Sequence, residues 1–188
     1  MRSRGYRDRV FNPELRTLPV GPGQIPELAT LFGASRNTRR CWCMAPCLSG
    51  AAFRVGWMRG SNQRRFAAMA AGSQLPMGIL ALVADQPVGW CATGPRSRYV
   101  GVGATSDDAV WLVPCFVVHP DHRSRGVTHT LLRAAVQLAT SQGATAIEGR
   151  PATGREPRPG DVFRGRESVF TEVGFTHTAP GTMRLELT

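Results

Sequence analysis

The chain has 188 residues, 42% of them hydrophobic, which suits one domain built around a single core. A charged fraction of 19% with scattered Val, Leu, Ile and Phe excludes disorder over most of its length. No apolar run approaches the roughly 20 residues that cross a bilayer, and the N-terminus carries no signal-like hydrophobic region, so a cytoplasmic protein with no membrane partner is expected. Basic residues outnumber acidic ones 23 to 13, for a net charge of +10, and every one of them is arginine. Arginine favours bidentate binding of phosphate and carboxylate, so the excess is either a solvated face or the footprint of an anionic partner.

Residues 1–10, with four arginines, are expected to be a loose basic arm before a domain at 11–188. Residues 15–20 predict a strand. Residues 26–32 predict a helix, with Pro26 in its first turn and Gly33 at its end. The stretch 36–60 reads as irregular, and 61–72 as a helix between a Ser61 cap and Gly72. Two extended runs flank Asp85-Gln86-Pro87 and predict a β-hairpin. Residues 110–118 form a buried strand containing Pro114, which removes a ladder donor and so marks a bulge or a splay from a neighbour. Residues 127–142 are the clearest helix, 144–149 a short strand, 151–161 a loop and 166–173 a helix; two closing strands follow Phe175. The strands at 110 and 144, joined by a crossover helix, should be parallel. The fold class is α/β: one domain with a mixed, mostly antiparallel sheet, one splayed parallel pair and flanking helices.

Three of the five cysteines crowd into Cys41-Trp42-Cys43-Met-Ala-Pro-Cys47. That spacing fits neither a zinc site nor a disulfide framework, so reduced thiols and no metal are expected.

The most informative stretch is Val118-His-Pro-Asp-His-Arg123-Ser124-Arg125-Gly126-Val127-Thr128, between the buried strand and the best helix. A helix start presents unpaired N–H groups and a partial positive charge. Gly126 admits a close approach and the arginines add charge, so the turn can hold an anion; a plain cap with solvated arginines would look the same. Val118-His-Pro120 and Arg123-Ser-Arg-Gly126-Val-Thr128 resemble the signature of the GCN5-related N-acetyltransferase (GNAT) family, with Thr128 in place of a smaller last residue. Gly174-Phe175 resembles the family's closing dipeptide, and Pro87-Val88-Gly89 its hairpin turn. The resemblance spans roughly 78–187.

The resemblance implies that backbone N–H groups of Arg123, Ser124, Arg125, Gly126, Val127 and Thr128 hold the pyrophosphate of acetyl-CoA. Phe116, Val117 and Val118 would lie along its pantetheine arm. It further implies direct attack of an amine on the thioester, with a backbone N–H near Val118 as oxyanion donor. Phe170 stands where many members carry an acidic tyrosine, and Leu112 where some carry a glutamate, so no side-chain acid is evident. Candidate bases are Glu148, against an ordinary arginine salt bridge, and His119, against a solvated loop residue; the Asp107-Asp108 pair and His177 are lesser ones. Trp42 and Cys43 fall in the region that usually recognises the acceptor, although Trp42 could equally cover the core. The acceptor is an amine, small or on a peptide, with a homodimer left open. Two other readings compete: a silent acyl-CoA sensor, and a basic nucleic-acid-binding module, for which the sequence shows no RNP, KH, helix-turn-helix or zinc-finger pattern.

Overall fold

The hairpin expected around Asp85 forms from β2 (Gly78–Val83) and β3 (Gln86–Pro95), and β1 (Leu15–Pro19) pairs antiparallel with β2 on its outer side. The computed structural model describes residues 15–103, 107–152 and 160–188; the expected arm at 1–10 and most of the loop at 151–161 lie outside them. Helix α1 (Ile25–Gly33) buries Leu28, Leu31 and Phe32, the spacing of one helical face. The stretch expected to be irregular instead holds two helices, α2 (Arg36–Cys41) and α3 (Gly50–Arg59), before α4 (Asn62–Gly72). Each of the two starts at a serine whose side chain accepts a backbone N–H, Ser35 from Thr38 and Ser49 from Ala52.

The central strand β4 (Val110–Val118) leads into α5 (Val127–Ser141), which crosses over to β5 (Ala146–Gly149). Helix α6 (Glu167–Val173) and the closing strands β6 (Thr176–Ala179) and β7 (Thr182–Glu186) complete the described chain. The seven strands run in the order β1-β2-β3-β4-β5-β7-β6, and β4–β5 is the parallel pair expected of a crossover.

Side chains alternate between two cores. Leu80, Trp90, Ala92, Leu112, Cys115 and Val117 pack on the face covered by α1 and α4. Ile79, Cys91, Trp111, Val113 and Phe116 pack on the face covered by α5 and α6. Gly89 lets α5 lie close: a Cβ there would come 2.5 Å from Val127 and 3.0 Å from Leu131, so its absence seats the start of α5 against β3. That gives the Val-Gly pair of the hairpin a physical reason.

Candidate functional site: a split sheet with an open strand edge

The register of β4 breaks at its proline. Ala92 faces Cys115 and Gly94 faces Leu112, so Val113 and Pro114 together oppose Thr93, a bulge in β4. Pairing with β5 runs from Val110↔Ala146 to Val113↔Gly149 and stops there. Beyond the bulge, among the described residues, β4 is paired with β3 alone. His119 N–H donates to Val88 at 2.9 Å. Because ladder bonds alternate along an antiparallel strand, the N–H groups of Val117 and Cys115 face β3 as well. Those of Phe116 and Val118 therefore face the open side, where a β5 extension would otherwise lie.

The open edge ends at the loop before α5. Gly126 caps the helix in the left-handed region (φ +79), with no side chain closing the first turn, and Ser124 is also left-handed (φ +58). The backbone N–H groups of Ser124 through Thr128 find no partner among the described residues. Arg123 and Arg125 are exposed beside them. The chain thus builds a concave cluster of donors with two guanidinium groups at its rim.

At the other end of the open edge, on the opposite face of the sheet, lies a cavity of about 360 Å³. Pro114, Cys115 and Val117 of β4 form one wall; Phe32, Cys43 and Pro46 face them. The Cys43 and Cys115 sulfurs touch at 2.8 Å, and all five cysteines are free thiols. Burial pushes the Cys41 thiol up to about 11 and the Cys47 thiol to about 12, and holds Cys43 well above its ordinary value, so these three groups are neutral. Among the described residues no group of His, Cys, Asp and Glu side chains is arranged to hold a metal ion.

The other expected residues are distributed around this path. Cys43 lines the cavity, whereas Trp42 is buried between Phe32 and Phe66, with ring centroids at 5.1 and 5.9 Å, and covers the core. Phe116 turns to the α5 face against Phe170. Glu148 sits opposite Leu112, one register position before the split. Its carboxylate accepts from Arg184 at 2.9 Å and lies 3.5 Å from Arg96, the salt-bridge alternative of the sequence reading. His119 accepts the Asp121 N–H through Nδ1 at 3.4 Å, capping the turn after β4, and does not line the cavity. His177, on the edge strand β6, pairs with Glu167 at 2.8 Å, and Asp107 accepts the Ala109 N–H before β4 begins. Phe170, in the position of the expected acid, is fully buried between Phe116 and Phe175. Sequence reasoning missed the cavity residues Pro46, Val102 and Phe163, which lie in unpatterned turns and short helical pieces.

A family model described as the acetyltransferase (GNAT) family matches residues 47–152. Similar solved structures include a GNAT family acetyltransferase from Brucella melitensis in complex with acetyl-CoA, 13% identical with a TM-score of 0.55 over 93% of this chain and 88% of that one. Another is the PaiA N-acetyltransferase of Thermoplasma acidophilum in complex with coenzyme A, 13% identical, TM-score 0.55, covering 92% of this chain and 98% of that one. A third is the ribosomal-protein-S18-alanine N-acetyltransferase of Escherichia coli, 11% identical, TM-score 0.52, covering 93% and 94%. At such identities the likeness is one of fold. No protein with a curated description matches the chain.

Proposed function

The chain belongs to the acetyltransferase (GNAT) family, and from that premise we propose that it transfers the acetyl group of acetyl-CoA to an amine. The observation that carries the reading is a continuous path: N–H groups at Ser124–Thr128 with no partner among the described residues, the open edge of β4, and a cavity where that edge begins. The loop N–H groups and the side chains of Arg123 and Arg125 would hold the pyrophosphate. The N–H groups of Phe116 and Val118 are the donors open to the pantetheine amides and to the tetrahedral oxyanion. Val117 turns its side chain into the cavity wall, so one strand serves cofactor with its backbone and acceptor with its side chains.

Phe170 has no proton to give, and a thiol of ordinary pKa, about 8.5, can leave without one. Glu148 is assigned the ordering of Arg96 and Arg184 beside the split, with base action as the alternative. His119 is assigned the shape of the turn that delivers the chain to the loop.

Calorimetry with CoA, followed by thiol release from acetyl-CoA over a panel of amines, tests the proposal. Wild type should bind CoA, and a folded Gly126→Glu variant should not, because a carboxylate would displace the phosphates from the donor cluster. Unchanged affinity in that variant would remove the loop from the site. Binding without transfer to any amine would favour the silent sensor, and no CoA binding, with salt-dependent binding of nucleic acid, the basic binding module.

A further inference from the structure

We propose that Cys43 and Cys115 are a paired oxidation site, a dithiol that a small peroxide converts to a disulfide strapped across the cavity beside Pro114. The two sulfurs touch at 2.8 Å, both side chains are buried, and both residues line the cavity from facing walls. A disulfide bond is about 2.05 Å long, so the sulfurs need to close by less than about 1 Å. Among the five thiols this is the one sulfur-to-sulfur hydrogen bond. Cys47 directs its thiol to the Cys43 carbonyl at 3.8 Å, and Cys91 packs in the core on the other face of the sheet. The pair joins residues 72 apart in sequence. Cys43 belongs to the left-handed turn after α2 (φ +48), and Cys115 follows the bulge in β4.

The chemistry takes two steps. One thiol attacks the peroxide: a sulfur–oxygen bond forms, the oxygen–oxygen bond breaks, and the thiol proton leaves on the water released, giving a sulfenic acid. The second thiol attacks that sulfur, so that the disulfide forms, the sulfur–oxygen bond breaks and the hydroxyl departs as water with the attacker's proton. Two thiols and one hydrogen peroxide thus become one disulfide and two waters. Contact serves the second step, because the resolving sulfur is in place before the sulfenic acid can oxidise further. Burial keeps Cys43 protonated, which slows the first step, so the pair answers to excess peroxide and not to traces. Cys115 packs toward α1 and α4, whereas the N–H groups of Phe116 and Val118 face the open edge of the strand. The strap therefore leaves the cofactor path alone and fixes the wall on the acceptor side, a consequence that rests on the acetyltransferase reading.

The test exposes the reduced, desalted protein to a graded excess of hydrogen peroxide, counts thiols in denaturant and maps non-reduced peptides by mass spectrometry. Two of the five thiols should disappear together, the map should join Cys43 to Cys115, and dithiothreitol should restore both. Cys47→Ala and Cys91→Ala should still form the link, and neither Cys43→Ala nor Cys115→Ala should lose thiols in pairs. A link between any other two cysteines, or no link in wild type while it remains folded, overturns the assignment without recourse to a variant. The linked protein should keep its CoA affinity within about twofold and lose about tenfold or more of its turnover with the best amine of the panel, regained on reduction, because small displacements at a reacting centre are costly. Unchanged turnover in the linked protein would overturn the strap's hold on the cavity. Reduced wild type that fails to bind acetyl-CoA would strike at the acetyltransferase reading and leave the mapped link standing.

Discussion

At Glu148 one buried carboxylate meets two guanidinium groups, each mostly shielded from solvent. Arg184 also bonds Glu186, and these bonds, first to Glu186 and then to Glu148, hold its guanidinium above even the usual arginine value. A carboxylate so engaged ties β5 to β7 and to the end of β3, and it lies outside the cavity lining. Glu148→Gln should therefore cost about 1.5–3 kcal/mol of stability, the size of a hydrogen bond to a charged group, and leave the acid limb of the pH–rate profile where it was. A limb that moves, with kcat down on the order of 10²-fold, would make Glu148 the base instead. Phe170→Tyr adds a hydroxyl to a fully buried ring packed against Phe116, Phe175 and Gly149, so kcat should change less than about threefold while the melting temperature falls. A gain above tenfold would show the new hydroxyl acting as the acid. The sequence alone could not separate Trp42 from Cys43. Both are left-handed (φ +50 and +48), a tight turn that sends neighbouring side chains apart, the indole into the core and the thiol into the cavity. No residue type at 41–44 advertises that turn, since Gly and Asn are absent from it.

Among the elements, the parallel pair is where the fold makes its site, and two small features end the pairing there. Pro114 supplies the bulge on β4, and Gly149 ends β5 at the last paired position. A Cβ on Gly149 would run into the Phe170 ring, so the end of β5 closes down onto α6 only because that side chain is missing. Gly149→Ala should destabilise by about 1–3 kcal/mol, lowering the melting temperature by several degrees, and should weaken CoA binding through the displaced edge. A melting temperature within one degree of wild type would show that Phe170 can give way. The strand with its internal proline, the crossover helix and the hairpin were legible because each carries a long apolar pattern with a clear period. Helices α2 and α3 were not. The first is six residues of mostly polar sequence burying only Thr38; the second contains two glycines and buries only Gly56, so neither shows an apolar stripe. Their tertiary contacts hold them. The signal available was the pair of serine caps, and on their own such caps are too common to decide.

Across the whole molecule, the absence of lysine matters for a protein that handles an acetyl thioester. Every cation is a guanidinium or an imidazole, and a guanidinium never presents a free nucleophilic nitrogen at neutral pH. Thiols are the strongest nucleophiles among the remaining side chains. Burial keeps Cys41 at about 11, Cys47 at about 12, and Cys43 and Cys91 well above their ordinary value, so none of these four carries an appreciable thiolate fraction. The net charge of +10 attracts the phosphates of CoA, yet the surface that attracts it offers almost nothing for the thioester to react with. Held for hours with excess acetyl-CoA at pH 8 and no acceptor, the protein should gain no acetyl group on any side chain when its peptides are mapped. A lysine-bearing control such as Ala45→Lys, whose side chain stands at the rim of the cavity, should gain one there. Acetylated side chains in the wild-type chain, stable to neutral hydroxylamine or released by it, would place a reactive nucleophile among the hydroxyls or the thiols respectively and refute the inertness argued from burial.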